Sequence, residues 1–144
     1  MAKHEFPTEV ISLPSEGKCY PKENPLSSGQ IEIKYMTARE EEILTSQNLI
    51  KKGVVLDKLF EAIIVDKGIN PDDIVLGDKN AIMLATRLLG YGKEYIVEML
   101  DSEENKHKVV VDLSSVKTKE VDLSTLNPEN TYNFTTPMGK NLIE

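Results

Sequence analysis

Tryptophan is absent, cysteine occurs once and histidine twice in 144 residues. A single cysteine, Cys19, can form neither an intrachain disulfide nor a cysteine-rich zinc site, and it is compatible with a reducing cytoplasm. His4 and His107 have no Ser, Cys or carboxylate beside them in a recognisable catalytic pattern. Arginine is present only at positions 39 and 87, and no basic cluster exceeds Lys51-Lys52. With a net charge of −7, phosphates would be repelled, so a nucleic-acid partner is not expected. Apolar runs such as Ala62-Ile63-Ile64-Val65 are far too short to cross a bilayer, and MAKHEFPTEV lacks the apolar core of a signal peptide. The expectation is therefore a protein made and kept in a cytoplasm, without membrane contact.

What is present has the balance of a globular chain, 40% hydrophobic and 28% charged. The expected class is α+β, in three parts. Residues 1–29 carry Pro7, Pro14, Pro21 and Pro25, which remove backbone donors and fix φ. Phe6, Val10, Ile11, Leu13, Tyr20 and Leu26 punctuate them at irregular spacing, predicting an extended arm pinned to the domain surface or to a partner. Residues 30–93 open with a strand, Ile31-Glu32-Ile33-Lys34-Tyr35, by its alternation. A small three-helix bundle follows. Its first helix starts with a Thr37/Glu40 capping box and breaks at Gly53. The second runs over 55–66, with Leu56, Leu59, Phe60 and Ile63 on one stripe, and stops at Gly68. Asn70-Pro71-Asp72-Asp73 opens a short turn. Asp78 caps the third helix, over 79–89, which ends at Gly90 and Gly92.

Residues 94–144 change to period 2. Strands over 95–100 and 106–113 flank a polar turn at 101–105, as an antiparallel hairpin. Val121 and Leu123 suggest a further short strand. A second hairpin is expected around 137–140, between 132–136 and 141–144. The chain ends inside that strand, so either it closes a sheet or further sequence once followed.

Few residues point to chemistry. Glu40, Glu41 and Glu42, with Asp72 and Asp73, are the carboxylate clusters from which a metal-dependent enzyme would have to be built. A calcium loop needs about six to eight oxygens at set spacing, which Gly77-Asp78-Lys79-Asn80 lacks. The glutamates read more simply as the exposed, dipole-favoured first turn of a helix. Gly90-Tyr91-Gly92-Lys93 follows a helix, whereas a phosphate cradle leads into one. Arg87 is expected to pair with Asp78 or another acid, with an interface anchor as the alternative. Tyr91 and Tyr95 are expected to join bundle to hairpins. No catalytic, cofactor or metal residue is assigned, and no cofactor is expected. The candidate partner-binding residues are Phe6, Leu13, Tyr20, Arg87 and Tyr91.

Three stretches in order carry a resemblance: Leu13-Pro14-Ser15-Glu16-Gly17-Lys18-Cys19-Tyr20-Pro21, then Tyr35-Met36-Thr37-Ala38-Arg39-Glu40-Glu41-Glu42-Ile43-Leu44, then Gly77-Asp78-Lys79-Asn80-Ala81 with Arg87-Leu88-Leu89-Gly90-Tyr91-Gly92. Together they resemble the baseplate hub subunits and hub assembly proteins of T4-type contractile-tailed phages, over roughly residues 6–95. The resemblance implies a non-enzymatic protein of the host cytoplasm or the virion tail. Its partners would be other baseplate and tail proteins, or further copies of itself. A tail assembly chaperone released before the virion is complete is the alternative. No catalytic residue comes with the family. An edge strand offered by the terminal hairpins would suit addition of a partner strand.

Overall fold

In the computed structural model, residues 6–120 are described, together with 122, 124, 134–135 and 142–143. Strand β1 (Thr8–Ser12) pairs antiparallel with β2 (Gln30–Lys34), Ile11 opposite Ile31. The alternation in β2 does what its period predicts: Ile31 and Ile33 are buried while Gln30 and Glu32 are exposed.

The segment joining these strands is where the expected arm departs from the structure. It folds back on itself, with the Leu13 N–H donating to the Gly29 carbonyl at 2.8 Å. Leu13, Tyr20 and Leu26 are all buried in the chain's own core. The prolines permit this because they stand where no ladder bond is needed. Pro25 opens a 3-10 turn (Pro25–Ser28) capped by the Asn24 side chain, and Pro7 precedes β1, its carbonyl accepting from the Tyr35 N–H. Gly17 is required at the crossing: its φ is +77°, and a Cβ there would lie 2.3 Å from the Ser27 carbonyl oxygen.

Helix α1 (Ala38–Thr45) begins at the expected capping box. The predicted first helix is divided, because Ser46 leaves helical geometry and α2 (Gln47–Lys52) starts anew before Gly53. Helix α3 (Val55–Ile63) buries Leu59, Phe60 and Ile63. It ends before the predicted stop at Gly68, since Ile64 turns extended to bridge Ile33 and Val65 donates to the Glu32 carbonyl. Sheet pairing thus overrides helical continuation. A 3-10 turn (Pro71–Asp73) leads to α4 (Leu76–Tyr91), which starts earlier than expected with Val75 as its cap residue. Helices α1, α2 and α3 touch one another, and α4 joins the same core through Ile82, flanked by Met83, Ala85 and Leu89.

Strand β3 (Glu94–Leu100) pairs antiparallel with β4 (Lys106–Asp112), from Glu94 opposite Asp112 to Leu100 opposite Lys106. This is the first predicted hairpin. Its turn is tied by Asp101, whose carboxylate accepts from the N–H groups of Glu103 and Asn105 and meets His107 Nε2 at 2.8 Å. The short strands β5 (Phe134–Thr135) and β6 (Leu142–Ile143) pair as the second. His4 and the suggested strand at Val121 and Leu123 lie outside the described residues.

Candidate protein-docking surface

The residues singled out in the sequence separate into buried and exposed groups. Asp78, expected to cap α4, is fully buried in that helix's first turn. Its Oδ1 accepts from the Ser15 N–H at 3.0 Å, and its Oδ2 accepts from Ser15 Oγ at 2.7 Å and the Tyr20 hydroxyl at 2.6 Å. Tyr20 in turn accepts from the Val75 N–H. Burial, then the bond to Asp78, pushes the Tyr20 phenol well above its usual range. Burial, then the Asp78 charge, raises the Cys19 thiol too. A thiol pushed up is a poor nucleophile. The open groove beside it is lined by Leu13, Ser15, Cys19 and Asp78, but Ser15 and Asp78 are already paired with each other. This cluster clasps the 13–20 loop to α4. Leu13 and Tyr20 therefore serve the chain's own interior, which corrects their expectation as partner-binding residues and settles the arm's contacts there on the domain itself.

Glu40 also proves to be interior. Its side chain is 1% exposed, 2.7 Å from Lys34 Nζ, and accepts from the Thr37 N–H and hydroxyl. Burial pushes its carboxyl up, but the bonds to Lys34 and Thr37 outweigh it and hold the group down at about 2. Glu41 instead accepts from the Tyr91 hydroxyl. The three glutamates are thus not a shared exposed face, and they do not converge. Among the described residues no three His, Cys, Asp or Glu side chains stand together as a metal site, and no helix is long and apolar enough to cross a membrane.

Arg87 does not reach Asp78, whose acceptors face the 13–20 loop. Its guanidinium lies 4.5 Å from the centre of the Tyr91 ring and 5.5 Å from that of Tyr95. The stack links the end of α4 to the start of β3, as the tyrosines were expected to do. Its Nε is buried without a hydrogen-bond partner among the described residues. Phe6 is exposed, with Lys34 over its ring.

What sequence reasoning missed is the exposure of the β3–β4 hairpin. The register places Tyr95, Val97 and Met99 on one face with His107, Val109 and Val111. The other face mixes Ile96, Leu100 and Val110 with Glu94, Glu98, Lys106, Lys108 and Asp112. Every residue of the hairpin's strands is exposed except Val97, which is half-buried. Among the described residues no third strand joins either edge. A two-stranded hairpin is at best marginally stable alone in water, and contiguous exposed apolar surface marks interaction sites. The signal was present in the sequence as matched apolar alternation at 95/97/99 and 109/111, but alternation does not say whether the apolar face finds cover within the chain.

No family model matches the chain, and comparison with curated proteins and with solved structures finds no relative among either.

Proposed function

We propose that this protein is a non-enzymatic assembly protein that acts in forming the tail baseplate hub of a T4-type phage. Its work is done by contacts with other baseplate and tail proteins, in the host cytoplasm and then in the virion tail. The observation that carries the docking role is the apolar face of the β3–β4 hairpin, exposed while the buried core is built from side chains between Leu13 and Ile82. The phage setting rests on the ordered stretches 13–21, 35–44 and 77–92. Two of them meet in one feature, the Ser15–Tyr20–Asp78 clasp, so the resemblance concerns a scaffold and the hairpin is what that scaffold presents.

The same exposed face favours a second reading, a tail assembly chaperone that masks apolar surface and then leaves. A tagged chain expressed during infection is expected to capture hub or tail proteins. A chain recovered only free, with no tail defect on its deletion, would overturn the proposal. Mass spectrometry of purified virions then separates the two readings, since a released chaperone is missing from the particle.

A further inference from the structure

We infer that the outer edge of β4 pairs with the β4 edge of a second copy, antiparallel and centred on Val109, joining two hairpins into one four-stranded sheet. This rests on reading the hairpin as the docking surface and names what docks on its edge.

The charge order of the strand selects that partner. β4 reads Lys106-His107-Lys108-Val109-Val110-Val111-Asp112, basic at its start and acidic at its end. Turned on itself about Val109, the strand places Lys106 opposite Asp112 of the second copy, twice over, and Val109 opposite Val109. All seven positions find a partner, whereas centring on Val110 also pairs Lys108 with Asp112 twice but leaves Lys106 and His107 opposite residues beyond the strand. Opposite charges facing one another across strands favour pairing, and like charges oppose it. A parallel arrangement would set the two lysine-rich ends side by side. Centring on Lys108 would face lysine with lysine and bring Asp112 against Glu104. A shift to an off-residue centre would turn the apolar face of one hairpin against the charged face of the other, because side chains alternate with period 2. The β3 edge offers no equivalent: turned about Val97, Glu94 meets Leu100 and Glu98 meets Ile96, with no opposite charge anywhere.

The pairing also addresses what the hairpin lacks. Two strands become four, and the apolar stripes of Tyr95, Val97, Met99, Val109 and Val111 from each copy become one continuous face. That matches the observation that three or more strands are needed for a sheet to stand by itself. An isologous contact of this kind closes at two copies and leaves no second β4 edge for growth. A single strand edge covers less than the roughly 1,200 Å² of a stable interface, so association should be weak, with a dissociation constant on the order of 100 µM.

Sedimentation velocity of the full chain at low salt is expected to show a concentration-dependent dimer and nothing larger. Lys106→Glu and Asp112→Lys each set like charges opposite one another in both symmetric pairs, and each alone should weaken the dimer about tenfold or more. Mixed in equal amounts the two variants should associate again, because each of the two cross-strand pairs in the heterodimer once more sets a basic side chain against an acidic one. Asp112 also accepts from Ser114, so its variant could perturb the hairpin. Amide exchange on the unmodified chain avoids this, and protection over 106–112 should rise with protein concentration. A chain that stays monomeric at millimolar concentration, a dimer indifferent to either reversal, or open-ended oligomers would each overturn the pairing. A monomer that still captures tail proteins would do so while leaving the assembly role standing. A β4-paired dimer that captures none would uphold the pairing and remove that role.

Discussion

The eleven buried apolar side chains among the described residues run from Leu13 to Ile82, and the β3–β4 hairpin contributes none of them. Both regions contain strands with matched apolar alternation, so composition does not explain the contrast. In β2 the apolar side chains Ile31 and Ile33 join the same core as residues of α3 and the 13–29 loop, and Ile33 is bridged by Ile64. In β3 and β4 the same alternation leaves every residue but the half-buried Val97 exposed, with the Arg87–Tyr91–Tyr95 stack at one end. The first region is held by non-local contacts. The second is held by its own ladder, by the Asp101 turn, and by the Leu113 N–H bond to the Lys93 carbonyl that closes its base. The Lys93–Asp112 pair adds little, being 3.7 Å apart and exposed. One region closes on itself, and the other leaves its apolar side chains exposed.

The sharpest way to break that comparison is truncation in each region, followed by urea unfolding. Phe60 is 2% exposed at the centre of the core. Phe60→Ala should cost about 3–5 kcal/mol, from lost burial and the cavity left behind. Asp78→Ala leaves the Ser15 N–H, the Ser15 hydroxyl and the Tyr20 hydroxyl without their acceptor. Unsatisfied buried donors make that change cost roughly 3 kcal/mol. If Asp78→Ala unfolds near the wild-type midpoint, the clasp is not what ties the 13–20 loop to α4.

A smaller effect is expected from acid. Glu40 is held at about 2 in the folded chain against an ordinary value of 4.5. The unfolded state therefore takes up a proton near pH 4.5 while the folded state refuses it until about pH 2. The stabilising contribution of the Lys34–Glu40 pair is complete above pH 4.5 and is lost as pH falls from there to about 2. Its size is on the order of 1–3 kcal/mol. Glu40→Gln should flatten the slope of stability against pH across that interval without abolishing it, because the exposed Asp101 and Asp112 are also held low. An unchanged slope would mean that Glu40 is as solvated as its neighbours, and that the first region's interior polar contacts count for no more than surface ones.

These effects sit unequally on the sequence. The capping box, the Pro71 turn and both hairpins were readable because each signal is local: three residues apart for the box, period 2 for the strands. The clasp was not, because Asp78 reaches Ser15 across 63 residues and Tyr20 across 58, and an acidic residue in a helix's first turn reads locally as a cap. Glu40 was hidden by the same logic, standing in a run of glutamates of which it alone turns inward. The prolines of residues 7–25 marked where a ladder could not run, but not whether Leu13 and Tyr20 faced home or outward. Arg87 was expected to seek an acid, whereas the nearest planar groups were two tyrosines of α4 and β3. For docking, the apolar face was visible residue by residue. Its exposure was not, since that depends on what the remainder of the chain fails to cover.

The smallest expected change in stability tests the second half of the comparison. Val109 is 40% exposed and central in β4, and Val109→Thr keeps the β-branched shape that suits a strand while exchanging a methyl for a hydroxyl. On a solvated face the hydroxyl stays hydrated, so unfolding should shift by less than about 0.5 kcal/mol. The same exchange on a face buried against a partner strands that hydroxyl in an apolar contact, and desolvation without a hydrogen bond costs about 1–3 kcal/mol. Capture of tail proteins should therefore weaken about fivefold or more while the urea midpoint stays put. A midpoint that falls as far as a core substitution would place Val109 inside the chain's own packing, and the hairpin would then belong to the same regime as β2. A midpoint and a capture both unchanged would move the docking surface to the opposite face, where Ile96, Leu100 and Val110 are the next side chains to test.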